Sequence, residues 1–475
     1  MADRRPPPAR SRDGLARTAS NTWRDSLSTY RDRRFASIFF LGISAGLPLA
    51  LVFGTLTIWM AKSGVDKTTV GLFSAATLPY ALKFLWAPVI DRAPFPLLTN
   101  LFGQRRGWTV ATQLALMAAI PAMALTDPAV NPWLMALFAL LVSFCSASQD
   151  VVIDAYRVEL LEEEKIGAGA SMYIFGYRIG MLIAGAGALN MVGGLGWSTV
   201  YLIMAAFILI GLVTILLSRE PMHGLDKETK AREARVAKYL AQRPELSGHR
   251  AAILAWLYGA VVSPFVEFMT RPQWLVILLF IVFYKLGDSM AGVMTGYFMV
   301  ELGFTEAEIG NIGKAVGFTA TMLGIIVGGW LMARLGMLWA LWICGGFQML
   351  SNLMFAVQAL VGHDMGMLAV AVGVENMAGG MGTAALVAYL SGLCNLAYTA
   401  TQFALLSAVA SIGRTFLAAP AGRLAEMMDW APFFLVTTLA ALPGLALLLW
   451  LTMVHRRNAA KPGENAAMPP KTAGK

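Results

Sequence analysis

Eight ionisable residues stand inside otherwise apolar stretches of this chain: Lys83, Asp150, Asp154, Arg178, Lys285, Asp288, Glu375 and Arg414. A charge at the centre of a bilayer costs at least ~2.5–3.5 kcal/mol, so each needs a partner, a water-filled cavity or a task. A carboxylate desolvated in a cavity gains proton affinity and a neighbouring Lys or Arg lowers it, which makes Asp150, Asp154 and Glu375 the candidates for carrying a proton. The rival chemistry is enzymatic. Asp150-Val-Val-Ile-Asp154 has the DxxxD spacing with which membrane prenyltransferases hold magnesium diphosphate. Those enzymes need two such clusters, and no second DxxxD or DDxxD, no HExxH and no usable Gly-x-Ser-x-Gly elbow occurs. Cys145, Cys344 and Cys394 lack metal-ligand spacing. No enzyme, metal or cofactor other than a proton gradient is expected.

Spacing sets these groups on helix faces. Ser143, Ser146, Asp150, Asp154 and Arg157 recur at steps of three or four, a polar stripe that cannot face lipid. Gly176, Gly180, Ala184 and Ala188 form a small-residue seam on the next segment. Close packing along that seam is expected to bring Arg178 toward Asp150 and Asp154. Lys285 and Asp288 are three apart, able to pair within one helix, and Gly292 and Thr295 extend their face. Glu375-Asn376 precedes Gly379, Gly380 and Gly382, and Ser407, Ser411 and Arg414 share one side of a later segment.

The elements that must carry these faces are membrane spans. The chain is 57% hydrophobic and 14% charged with a mean hydropathy of +0.62, which excludes an ordinary soluble domain. Apolar runs lie near 37–61, 69–90, 108–125, 132–156, 168–192 and 197–217, then 273–300, 309–333, 337–361, 365–391, 397–421 and 431–454. The expected fold is all-α, with twelve spans in two six-helix bundles, 37–217 and 273–454. A basic linker, 218–272, divides them, and its apolar Ala251–Phe268 reads as an interfacial or re-entrant helix. Residues 1–36, with nine arginines, and 455–475 read as disordered cytoplasmic tails rather than a secretory signal.

The net charge of +9 follows topology rather than nucleic acid. Arg92, Arg105, Arg106, Arg157, Lys165 and Arg334 fall on one side, which the positive-inside rule makes cytoplasmic along with both termini; Lys62, Lys67 and Lys314 go against it. Matching features in spans 1 and 7, 2 and 8, and 5 and 11 suggest an internal duplication.

Several strings resemble AmpG-type muropeptide permeases of the major facilitator superfamily. They are Phe84-Leu85-Trp86-Ala87-Pro88 with Asp91-Arg92 and Arg105-Arg106-Gly107-Trp108; Ser143 to Asp150 with Asp154-Ala155; Gly176-Tyr177-Arg178; Tyr284-Lys285-Leu286-Gly287-Asp288; Glu375-Asn376 with Gly379 to Ala385; and Thr401 to Ala408 with Gly413-Arg414. The resemblance runs in order from about Leu41 to Trp430, and departs from the superfamily pattern where Ala93-Pro94-Phe95-Pro96 stretches the loop after span 2. It implies proton-driven import of N-acetylglucosaminyl-1,6-anhydro-N-acetylmuramyl peptides across a Gram-negative inner membrane for peptidoglycan recycling, a step tied in some species to β-lactam resistance. Relatives in the branch carry acetyl-coenzyme A, siderophores or pigments. The resulting expectation is a monomeric, lipid-embedded, alternating-access carrier. Asp150, Asp154 and Glu375 take the proton; Gln149, Arg178, Lys285, Asp288, Asn376, Gln402, Arg414 and Lys83 bind solute; Asp91, Arg92 and Arg334 gate the cytoplasmic side.

Overall fold

A computed structural model of the chain describes residues 32–65, 76, 78–221, 258, 262–418 and 420–459. The tails 1–31 and 460–475, most of the basic linker, Lys67 and the side chains of Lys314 and Arg414 lie outside the described residues.

Helices occupy all twelve expected segments. Span 1 comprises Arg33–Ala50, a π turn at Leu51–Thr55 and Leu56–Lys62; span 2 comprises Leu78–Leu82, a tight turn at Lys83–Leu85 and Ala87–Arg92. Spans 3 and 4 are Gln104–Ala124 and Pro132–Leu160. Span 5 is Ile166–Leu182, a π turn at Ile183–Gly187 and Ala188–Leu195, and span 6 is Trp197–Phe207 with Leu209–Leu217. A short helix, Ser263–Met269, precedes span 7, which is Trp274–Phe283 and Leu286–Glu301. Span 8 is Glu306–Ile312, a π turn at Gly313–Gly317 and Phe318–Leu335; spans 9, 10 and 11 are Met337–Val361, Met365–Leu393 and Thr399–Ala418; span 12 is Trp430–Leu439 with Leu442–Ala459. Among the described residues nine helices are long and apolar enough to cross a membrane on their own; spans 1, 2 and 11 are the others. Local chemistry sets the ends. Asn131 and Asp364 cap spans 4 and 10 by accepting from the Leu134 and Met367 N–H groups. Gly196 and Gly336, at φ of 74° and 78°, make the turns into spans 6 and 9.

The pairing of spans repeats. Span 1 packs on 5 as 7 packs on 11, 2 on 4 as 8 on 10, 3 on 4 as 9 on 10, and 3 on 6 as 9 on 12. Between the bundles, 5 lies on 8 as 11 lies on 2, and 5 on 10 as 11 on 4. Adding six to a span number maps each contact onto another, the duplication hinted at by the sequence.

Glycines decide which helices come closest. A Cβ on Gly42 or Gly46 would sit 2.4 or 2.1 Å from the Tyr173 or Tyr177 carbonyl oxygen, and one on Gly176 or Gly180 would sit 2.2 or 2.1 Å from those of Phe39 or Ile43. The seam on span 5 therefore locks onto span 1, not span 4 as its spacing suggested, because span 1 carries the complementary Gly42 and Gly46.

Four apolar clusters build the core. One spans both halves, with Ile153, Tyr156 and Tyr173 alongside Ile325, Met381 and Phe403, and a smaller one joins Ala87, Ile90 and Val152 to Ala400 and Ala404. Both lie toward the edge that carries the described chain ends, here called the terminal edge. The other two keep to one half each: Leu51, Trp59, Met123 and Tyr201 in the first, Phe298, Phe304, Phe355 and Phe434 in the second, toward the opposite edge. The halves are thus fused at the terminal edge and built separately at the other.

Candidate functional site

Span 4 delivers its predicted stripe as a buried one, with Ser143, Ser146, Asp150, Asp154 and Arg157 at 0–7% exposure. The cation opposite its carboxylates comes from span 2. That span is interrupted at Lys83–Leu85, just before Pro88, and Lys83 Nζ lies 4.0 Å from Asp154 Oδ2. Tyr173 Oη donates to Asp150 Oδ1 at 3.4 Å, and Arg157 Nη2 donates to Asp154 Oδ1 at 3.2 Å. Arg178 does not join them. It is partly exposed and forms no ion pair with a described residue, a consequence of span 5 turning its glycines toward span 1.

The second half repeats the device. Span 7 breaks at Tyr284 and Lys285, and Lys285 Nζ donates to Thr383 Oγ1 of span 10 at 2.8 Å while lying 3.4 Å from Asp288 Oδ2. The other Asp288 oxygen has no hydrogen-bond donor among the described residues. On span 10, Asn376 donates to Glu375 Oε2 at 2.9 Å and accepts from Thr321 Oγ1 of span 8 at 3.1 Å. Each half thus holds one lysine at an interruption of its span, facing carboxylates, and irregular backbone at membrane depth is tolerated where protein or a cavity surrounds it.

Two expected solute ligands are spoken for. Gln149, at 0% exposure, donates to Ser44 Oγ at 3.3 Å, and Ser44 donates to Gln113 at 3.0 Å, a network that ties spans 1, 3 and 4. Gln402 works at the terminal edge: its Oε1 accepts from the Asn395 N–H at 2.7 Å and its Nε2 donates to Glu267 Oε2 at 2.5 Å. In this conformation both are sealed from a solute pathway.

That edge is closed by polar ties between the halves. Asp91 pairs with Arg105 at 2.7 Å, and Arg105 also grips Glu159 at 2.6 Å. Both Asp91 oxygens then accept from the first turn of span 11, at Ala400 and Thr401, where unsatisfied N–H groups and the helix dipole favour an anion. On the second half alone, the linker helix is held to spans 10 and 11: Glu267 pairs with Arg271 at 2.8 Å and accepts from Gln402, while Arg271 donates to the Leu393 carbonyl. Arg334 is exposed and stacks 5.6 Å from the Trp330 ring, and Arg92 is partly exposed; Asp91, the first of the three expected gate residues, bridges the halves. Outside the spans, Arg34 donates to Glu162 at 2.9 Å and holds its carboxyl down at about 2. Burial pushes Glu220 above the usual carboxylate range although it accepts from the Arg105 and Arg106 N–H groups.

Residues 38–286 match the model of the Major Facilitator Superfamily. The chain belongs to that superfamily. Within it, the chain is 40% identical over 425 residues, 89% of this chain and 80% of the other, to the anhydromuropeptide permease of Escherichia coli K12. It is 34% identical over 424 residues, 89% and 97% of the two chains, to the transporter AmpG 4 of Rickettsia felis. It is therefore a member of the AmpG-type permeases, a multi-pass membrane transporter rather than an enzyme. Among solved superfamily structures, the E. coli fucose:proton symporter FucP superposes with a TM-score of 0.63 at 12% identity, covering 88% of this chain and 97% of that one. The proton:xylose symporter XylE does so with 0.63 at 13%, covering 90% and 96%.

Sequence reading missed the polar residues Glu159, Glu267 and Arg271 at the terminal edge, and the pairing of Lys83 with Asp154. Glu159 was detectable two residues past Arg157. Glu267 and Arg271 carry the i, i+4 spacing of a helical ion pair.

Proposed function

We propose that this chain imports anhydromuropeptides, N-acetylglucosaminyl-1,6-anhydro-N-acetylmuramyl peptides, across a bacterial inner membrane for peptidoglycan recycling, driven by a proton gradient. The identity to the E. coli anhydromuropeptide permease over most of both chains carries the substrate. Coupling is supported by Asp150, Asp154 and Glu375, carboxylates lodged among cations and amides at membrane depth. The basic loops make the terminal edge cytoplasmic, so the conformation described is closed inward and ready to accept solute from the periplasm. Arg178, Lys285, Asp288, Asn376 and Lys83 offer the charged and hydrogen-bonding surface for the peptide carboxylate and sugar hydroxyls. A monomer in lipid suffices, since each half supplies one cluster.

Labelled anhydromuropeptide taken up by right-side-out vesicles decides the matter. Vesicles carrying the chain should accumulate it and release it on addition of an uncoupler; uptake no greater than in vesicles without the chain sinks the substrate, and indifference to the uncoupler sinks the coupling.

A further inference from the structure

Arg157 is 1% exposed, on the last turns of span 4 and inside the closed terminal edge. Its Nη2 donates to Asp154, and Asp154 is the one carboxylate among the described residues within ion-pair distance of it. Its guanidinium carbon lies 5.4 Å from the Tyr173 ring centre and 5.5 Å from that of Phe403. Its Nε and Nη1 find no acceptor among the described residues. Tyr173 and Asp154 belong to the same half as Arg157. Phe403, on span 11, belongs to the other, so this cation is clasped across the plane on which the two halves meet.

Burying a guanidinium is strongly unfavourable unless an anion compensates it, and removing one partner of such a pair leaves the whole desolvation cost standing. Two aromatic faces attract the cation but do not replace the carboxylate. Closure at Arg157 is therefore tolerable while Asp154 is charged and unfavourable once it is neutral. Separation at Phe403 relieves the strain by admitting water to the two unsatisfied donors.

We propose that Arg157 is a positioning residue that makes closure of the terminal edge depend on the charge of Asp154. A proton reaching Asp154 from the opposite side adds to a carboxylate oxygen and removes the anion that holds the guanidinium. The edge then parts at Phe403, the proton leaves on the newly exposed side, and the restored carboxylate draws Arg157 back. The groups facing this pair are Lys83 from span 2, Asp150 on span 4, Tyr173 and Tyr177 from span 5 and, across the interface, Cys394, with Asp91 and Arg271 farther along the edge. Lys83 stays with Asp154 in the same half and is not parted from it by opening. The tie between the halves at Asp91 does not involve Asp154, so a proton alone shifts the population of open edges, and cargo completes the change.

The proposal rests on the proton reading above for its physiological role, but its test is conformational and uses no solute. Spin labels at Glu164 and Leu335, both exposed on the terminal edge, report its opening in nanodiscs of a chain whose three native cysteines are replaced by alanine. From neutral to mildly acidic pH, the wild-type ratio of open to closed edges should rise by about tenfold or more. Asp154→Asn should be open to that extent at both pH values. Arg157→Met should stay closed at both, and should close the Asp154→Asn variant as well, whereas Arg157→Lys, which keeps the charge, should restore the response and serves where the Met variant misfolds. An Arg157→Met chain that opens with acid as the wild type does, or an Asp154→Asn chain that stays closed, overturns the proposal. Uptake indifferent to a proton gradient would remove the proton reading and leave these distances to decide the clasp on their own.

Discussion

Asp91, at the end of span 2, accepts from Thr401, at the start of span 11, through both the backbone N–H at 2.7 Å and the hydroxyl at 2.6 Å. One carboxylate so caps a helix of the other half while pairing with Arg105 of its own. Replacing Asp91 by Ala leaves Arg105 sharing only Glu159 and strips the span 11 cap. Breaking a buried pair of this kind costs about 3–5 kcal/mol, here charged to the closed state. The expected result is a terminal edge that reacts with a thiol reagent at an introduced cysteine several-fold faster, and uptake that falls steeply. Unchanged reactivity would show that the edge is held elsewhere.

How much of this edge was legible in the sequence depends on the reach of each contact. The six-and-six spans, the stripe on span 4 and the i, i+3 pair of Lys285 with Asp288 depend on local periodicity, and the coordinates place them accordingly. Asp91 was recognised as an edge residue, but its bonds to Ala400 and Thr401 cross about 310 residues of chain, which no spacing rule reaches. Arg178 misled for a related reason. A small-residue seam says that some helix approaches closely, and the choice of span 1 over span 4 depended on a second seam, Gly42 and Gly46, far away in sequence.

That choice gives a stability prediction. Gly46→Val or Gly180→Val forces a side chain well inside van der Waals contact with a backbone carbonyl of the facing span, and overpacking of this sort costs about 1–3 kcal/mol or more. Gly292→Ala meets nothing within 4 Å and should lie within about 0.5 kcal/mol of the wild type. Thermal unfolding in detergent separates the two classes; equal midpoints would contradict the span 1 to span 5 contact.

In the second half, Lys285→Met leaves Asp288 without its cation and Thr383 without its donor. Combined with Asp288→Asn, the double change should be less damaging to stability than the sum of the single ones, by roughly 0.5–3 kcal/mol. On the proposed solute-binding role of Lys285, solute affinity should be low in the single Lys285→Met variant and in the double variant alike. Additive losses of stability would mean that the pair is not coupled.

At the surface, the Arg34 hydrogen bond holds Glu162 at about 2, below its ordinary value. A carboxylate whose folded value is lowered contributes stability above its unfolded value of about 4.5 and loses it as pH falls toward about 2. Solvent screening keeps the contribution of this partly exposed pair small, about 1 kcal/mol or less. Glu162→Gln should therefore unfold earlier than the wild type at neutral pH, with the gap narrowing as pH falls from about 4.5 to about 2. A gap that is constant across that window would contradict the pairing.

The most direct measurement uses purified protein in liposomes with labelled anhydromuropeptide outside and an imposed pH gradient, acid outside. Accumulation above the external concentration, abolished by an uncoupler and lost in Asp150→Asn and Asp154→Asn while exchange of pre-loaded solute persists, is the predicted result. Solute that merely equilibrates, or that accumulates equally without the gradient, would contradict proton-driven import.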